Sequence, residues 1–398
     1  MKNFVFISPH FPSSYWRFCL ALQTRGFNVL GVADAPYNEL SEETKFSLNE
    51  YYCCLNMDNY DNEKAALTYF QNKYGPIDYI ESNNEYWLIK DAQLRSDFNV
   101  TTGPNKVEVM RYKLKSLQKK YYEKAGLKVA RYELVTTLEK AKEFINLVGY
   151  PVFIKPDDGV GAQDTHKIND ENDLIDFFNS KQDKSYIMEE FVDGQIISFD
   201  GITNSKADVI FYTSNVFMND NSEIVHHMLD DMYYCVPHVE DELVEKGKAA
   251  IKAFEVKNRF FHLEWFKLKK DHPYLGKKGT IIPLEANMRP AGAYTPDLIN
   301  FANSVNCYEI YADSIAYDEN RQNMGYTKYF ACAVSRRNVY TYVHSLNDIL
   351  THYKNNVCFF GDYPLALRDD MGDSFIMAKF NTLEELFEFD RSVREKVF

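Results

Sequence analysis

Apolar and polar positions follow two rhythms along this chain. In the first hundred residues, short apolar runs at 4–7, 28–32 and 77–80 are separated by mixed stretches with helical spacing. Strands alternating with helices predict a parallel sheet joined by crossover helices. The loop after the first run, Ser8-Pro9-His10-Phe11-Pro12, has no glycine to let backbone approach a pyrophosphate. That argues against a dinucleotide-dependent oxidoreductase despite the Rossmann-like start.

Turn-forming residues gather at Thr101-Thr102-Gly103-Pro104-Asn105, where a first unit should end. Residues 107–124 then predict one charged helix, and 128–135 a strand. Thr136 and Glu139 have capping-box spacing, Leu138, Ala141, Ile145 and Val148 share a helical face, and Gly149 stands where that helix should stop. A strand over 150–156 follows. Residues 241–257 predict an amphipathic helix with Leu243, Gly247, Ala250, Ile251 and Phe254 inward. Strands are expected at 260–268, 280–288, 329–334 and 374–380, and Thr382 with Glu385 opens a terminal helix. No internal repeat or low-complexity tract interrupts this order.

A chain of 398 residues exceeds what one core serves, so two to four packed units are expected. No stretch approaches the ~20 apolar residues of a membrane span. The net charge of −13 works against general attraction to nucleic acid or anionic lipid, so any phosphate must be held locally. The apolar run at 4–7 is short for a secretory segment, and the seven cysteines show no C-x-x-C spacing. A cytoplasmic protein with reduced thiols is expected.

The chemistry concentrates in the strand pair at 260–268 and 280–288. Alternate side chains of a strand share a face, so Glu285, Asn287 and Arg289 form a polar row, with Ile282, Leu284, Ala286 and Met288 opposite. Glu264 lies among Phe260, Phe261, Trp265 and Phe266, where an unpaired charge is unfavourable and a cation would relieve it. Two carboxylates and an amide oxygen on paired strands suit magnesium, and Arg289 beside them suits an anion. A second constellation is Lys155-Pro156-Asp157-Asp158-Gly159-Val160-Gly161, a strand ending in lysine and a loop with two glycines. Such a loop lets backbone N–H groups close around phosphate oxygens. A third is Tyr186-Ile187-Met188-Glu189-Glu190-Phe191-Val192-Asp193-Gly194, a strand whose exit offers apolar groups and backbone to a planar base.

In this order the segments resemble the ATP-grasp superfamily, chiefly its carboxylate-amine ligases such as the L-amino-acid ligases, with biotin carboxylase and carbamoyl-phosphate synthetase as cousins. The resemblance spans residues 75–300 and is sharpest at Leu284-Glu285-Ala286-Asn287-Met288-Arg289-Pro290, similar to the family's E-x-N-x-R. It implies an α/β chain, α+β in its catalytic part. A Rossmann-like domain over 1–106 would be followed by a linker helix and small subdomain over 107–190, then a large subdomain over 191–398. It implies that Lys115 and Lys155 meet ATP phosphates, with Gly159 and Gly161 in the glycine loop, and that Glu189 and the backbone of Glu190 to Val192 receive adenine. Glu264, Glu285 and Asn287 would hold Mg2+, or Mn2+ in its place, and Arg289 would steady an acyl phosphate. Glu85 resembles the acid by which the first domain reaches the site. Many relatives carry an acid two residues beyond the glycine matching Gly194, where this chain has Ile196.

The implied activity is an ATP-dependent ligase joining a small carboxylate, an amino acid by expectation, to an amine through an acyl phosphate. Phosphorylation of bicarbonate and non-catalytic nucleotide binding are the alternatives. The expected partners are the small carboxylate and amine, with neither nucleic acid nor membrane, and the analogy allows a homodimer. Ser8, His10 and the aromatic-rich segment 217–234, with His226 and His227, are candidates for the acceptor pocket.

Overall fold

The computed structural model describes residues 1–159, 164–219, 224, 227–325 and 327–397. Gly161 and His226 therefore lie outside the described residues. The alternating pattern of the first hundred residues becomes β1 (Asn3–Ile7), β2 (Asn28–Ala33), β3 (Glu50–Cys53) and β4 (Tyr79–Glu81), an all-parallel sheet in the order β3-β2-β1-β4. The order reverses beside β1, so the loops leaving β1 and β4 open a crevice at their carboxyl ends, and Glu85 lies on the second.

A small antiparallel sheet follows, with β5 (Tyr132–Leu134), β6 (Val152–Pro156), β7 (His166–Ile168) and β8 (Tyr186–Glu190) in the order β5-β8-β6-β7. The third sheet holds β9 (Gly194–Thr203), β10 (Val209–Thr213), β11 (Asn215–Phe217), β12 (Met232–Cys235), β13 (Phe260–Leu268), β14 (Ile281–Asn287), β15 (Phe330–Arg336), β16 (Val357–Asp362) and β17 (Ser374–Phe380). It runs β14-β13-β9-β11-β12-β15-β17-β16, with β10 paired to β9.

The helix over 241–257 forms as Asp241–Phe254 and buries the five residues expected inward. A Cβ at Gly247 would lie 2.2 Å from the Phe199 ring, so glycine there admits the sheet beneath. The expected single helix at 107–124 is two, Met110–Lys113 and Lys115–Lys124, because Leu114 is extended. Asp157 draws the second helix out: its backbone oxygen accepts from the Lys115 amide at 2.8 Å, and its carboxylate accepts from the Ser116 amide and hydroxyl at 2.7 and 2.8 Å. The helix expected to open at Thr136 is capped by Thr137, whose hydroxyl accepts from the Lys140 amide. Thr382 and Glu385 form the expected capping box.

The turn at 101–105 has a tertiary purpose. Gly103, at φ +97°, leaves room for Arg95, whose Nε a Cβ there would meet at 2.8 Å. Buried Arg95 donates to the Pro104 oxygen at 3.1 Å and to Glu81 at the end of β4 at 3.0 Å. Arg259, at the entrance of β13, reaches the same carboxylate at 2.7 Å and donates to the Met288 oxygen at 3.0 Å. Burial favours a protonated Glu81, but the two guanidiniums outweigh it and hold its pKa below the usual carboxylate range. This cluster ties the parallel sheet to the strands that carry the candidate site.

Glu63, on the helix Tyr60–Tyr74, is fully buried, and neither carboxylate oxygen has a hydrogen-bond partner. Burial pushes its pKa up to about 7. The folded state therefore holds this proton more tightly than the unfolded chain, and stability falls as pH rises from the unfolded value near 4.5 through about 7. Glu63→Gln cannot ionise, so its stability relative to wild type should be about 2–3 kcal/mol more favourable at pH 8 than at pH 5. Urea unfolding at the two pH values measures this, and an equal effect at both would show that Glu63 is not buried as a neutral acid.

Candidate active site

The antiparallel register of β9, β13 and β14 aligns polar side chains in two rows. Ser198, Glu264 and Glu285 are directly opposite one another, as are Asp200, His262 and Asn287 in the next row. Glu264 and Glu285 thus face the same side on neighbouring strands. One expectation is corrected: Ile282 does not share the face of Ala286 and Met288. A bulge sets Trp265 opposite Pro283 and leaves Leu284 without a partner, so alternation resets. Ile281 joins Ala286 and Met288 in the main core, while Ile282 packs with Val192, Leu268 and Leu275.

The free edge of β14 is covered by the helix Lys115–Lys124, whose side chains satisfy the exposed strand groups. Gln118 donates to the Ala286 oxygen at 2.8 Å and accepts from its amide at 3.0 Å, and Tyr122 donates to the Glu285 oxygen at 3.1 Å. Tyr122 also meets Phe254 and Trp265 edge-on. Docked this way, the helix aims its lysines at the site. The Lys115 ammonium lies 3.2 Å from Glu285 and donates to the Gly159 oxygen at 2.9 Å.

One turn on, buried Lys119 lies 2.9 Å from Glu189, whose other oxygen is 3.1 Å from Lys155 on β6. Burial pushes Glu189 toward protonation, but the two ammoniums prevail and lower its pKa to about 2. Burial lowers the pKa of Lys119. Lys155, equally disfavoured by burial, is nevertheless raised by Glu189 and Glu285. Glu285 itself, though burial opposes its ionisation, is kept anionic by Lys115 and Lys155. The site is a charge lattice of three lysines and the acids Glu189 and Glu285.

Arg289 extends beyond β14 and donates from Nε and Nη2 to one Glu85 oxygen at 3.2 and 3.1 Å, while Lys113 lies 3.2 Å from the other. The loop after the parallel strand β4 thus meets the site through Glu85. Glu190 turns away: its carboxylate takes the Arg131 guanidinium, and its backbone amide donates to the Arg131 oxygen at 3.0 Å. Val192 is buried against Ala130 and Leu268.

Sequence reasoning passed over Lys119, Asp200 and His262, and named Asp157 in the glycine loop without giving it a role. Two carried a readable signal: Lys119 lies four residues after Lys115 on one helical face, and His262 lies two before Glu264 on one strand face. His262 is buried, with Nδ1 2.5 Å from Asp200 and Nε2 3.1 Å from Glu264. Burial would lower its pKa, but the two carboxylates hold it up to about 9.

Opposed like charges across a strand pair repel, and here each is answered by its own cation, Lys115 for Glu285 and His262 for Glu264. With the Asn287 amide oxygen, the pair is an all-oxygen donor set on rigid strands, which fits a hard divalent cation. Among the described residues no three His, Cys, Asp or Glu side chains gather as a metal cluster.

Residues 115–203 match the model of the carbamoyl-phosphate synthase L chain ATP-binding domain. The chain is 32% identical over 121 residues to the phosphoribosylamine–glycine ligase of Fusobacterium nucleatum, covering 28% of each chain. It is 29% identical over 154 residues to D-alanine–D-alanine ligase B of Clostridium perfringens, covering 36% of this chain and 48% of that one. These matches thus span about a quarter to half of the curated relatives. Across its whole length the fold is similar to the crystal structure of an L-amino acid ligase from Bacillus licheniformis, with TM-score 0.75, 14% identity, and coverage of 100% and 99%.

Proposed function

We propose that this chain is an ATP-dependent ligase of the ATP-grasp superfamily, a reading supported by the match of residues 115–203 to an ATP-binding domain. It activates a small carboxylate, an amino acid by preference, as an acyl phosphate and joins it to an amine with release of ADP and phosphate. The observation that carries this reading is the Glu264–Glu285 pair opposed on adjacent strands, with Arg289 following and three lysines converging behind. A plain solvated stripe would not concentrate buried cations on one face.

Phosphoryl transfer asks little covalent help of a protein and much charge placement. Glu264, Glu285 and Asn287 would hold magnesium, which when bound neutralises charge on the transferring phosphoryl group. Lys115 and Lys155 exchange their present partners, Glu285 and Glu189, for phosphate oxygens. Lys119 then stays as the partner of Glu189, so the buried acid is never left uncompensated. Arg289 turns from Glu85 to the acyl phosphate and holds the charge that develops as the amine attacks. Water must be kept out of this step, because it hydrolyses the same intermediate. Ile196 stands where many relatives carry an acid, and its neighbour Gln195 donates to the Phe217 oxygen.

The test is a screen for ADP release over pairs of amino acids and other small carboxylates, with bicarbonate in a separate arm, followed by mass spectrometry of the product. Amine-dependent ADP release with a new amide is expected. Nucleotide binding without ADP release under any mixture would favour a non-catalytic role, and bicarbonate-dependent release would favour a carboxylase.

A further inference from the structure

We infer that His262 is a positioning residue that fixes the carboxylate of Glu264 for the divalent cation, anchored in turn by a buried network ending at Asp200. This rests on the reading of Glu264, Glu285 and Asn287 as the cation's ligands. Contacts on both ring nitrogens hold the imidazole between two carboxylates. It lies on β13 with Asp200 opposite on β9 and Asn287 opposite on β14, and it spans from Asp200 at Nδ1 to Glu264 at Nε2. Asp200 is held in its turn: its second oxygen accepts from the Ser198 hydroxyl and, at 2.9 Å, from the Asn215 amide. Asn215 donates its backbone amide to the Ser198 hydroxyl oxygen at 3.0 Å, closing the loop between β11 and β9. The Phe217 ring packs edge-on against the imidazole at 6.0 Å.

The consequence falls on Glu264. Its side chain is about a quarter exposed, and its Oε1 is taken by His262, so rotation about the last bond is restrained and Oε2 is left for the cation. Glu285 has no such fixed companion, because its partner Lys115 sits on a flexible four-carbon stem. The two ligands therefore differ, one preset and one released by a mobile lysine. Groups that orient a metal ligand in this way typically contribute about 10–100-fold in metal affinity.

The two nitrogens of His262 can be tested separately. Asparagine reproduces a donor at the Nδ1 position, and glutamine one at the Nε2 position. His262→Asn keeps the bond to Asp200 and gives up Glu264, whereas His262→Gln does the reverse. Mn2+ binding in the presence of ADP, followed by electron paramagnetic resonance, reads the site without turnover. His262→Asn should weaken Mn2+ by about 10–100-fold and His262→Gln should stay within about threefold of wild type, while both variants melt lower because each removes the buried cation between Asp200 and Glu264. The reverse ranking, or equal Mn2+ binding in all three proteins, would leave His262 as a core partner of Asp200 and overturn the inference. Failure of the wild-type protein itself to bind Mn2+ with ADP would instead sink the ligand assignment, and the role of His262 with it.

Discussion

Arg289→Ala should lose about 10²–10³ in kcat for ADP formation while the protein stays folded, the loss typical of removing one preorganised charge from a transition state. The separation of the two effects follows from where Arg289 lies. Its side chain is 20% exposed, beyond the end of β14, and its side-chain partners are Glu85 and the Pro290 oxygen. Glu85 keeps Lys113 when the guanidinium is removed, so no buried charge is stranded and the stability cost is about 1–2 kcal/mol. Arg289→Lys restores the charge without two N–H groups in a plane, and should recover only part of the rate. Saturating-substrate turnover beside a urea titration checks both halves. Turnover near wild type in Arg289→Ala would remove the anion-holding role.

Glu189→Ala should act in the opposite sense, with unfolding as its main consequence. The carboxylate is buried between Lys119 and Lys155, and its loss leaves two ammoniums without their closest counter-charge. Breaking a buried ion pair from one side costs about 3–5 kcal/mol, far more than the intact pair contributes against an apolar replacement. Adding Lys119→Met should return about 1–3 kcal/mol, because the second change removes the charge that the first one stranded. Denaturant midpoints for the two single variants and the double variant give the coupling directly. Additive losses would show that Lys119 and Glu189 do not depend on each other.

Much of the architecture was legible along the chain because it is written in local rules. Alternating runs foretold the parallel sheet, inward positions foretold the buried face of Asp241–Phe254, and Thr382 with Glu385 foretold the last helix cap. The polar row of Glu285 and Asn287 beside Glu264 was likewise visible, since a strand's period of two needs no knowledge of its neighbours. Three features were beyond such rules. The bulge at Leu284, which moves Ile282 to another core, arises from pairing with β13 and leaves no mark in the alternation of β14 alone. The break at Leu114 is drawn by Asp157, forty-one residues further along in its contact with Ser116. The company of each charge is also non-local: Glu189 meets Lys119 across seventy residues, Glu85 meets Arg289 across 204, and His262 meets Asp200 across sixty-two.

By itself the sequence determined on which side of their own strand Glu285 and Asn287 stand and which face of Asp241–Phe254 is buried, because backbone sterics and hydrophobic period act over a few residues. Only the tertiary structure decided which charges neutralise one another. Coulomb energy and desolvation depend on distance and burial in space, and neither can be read from spacing along the chain.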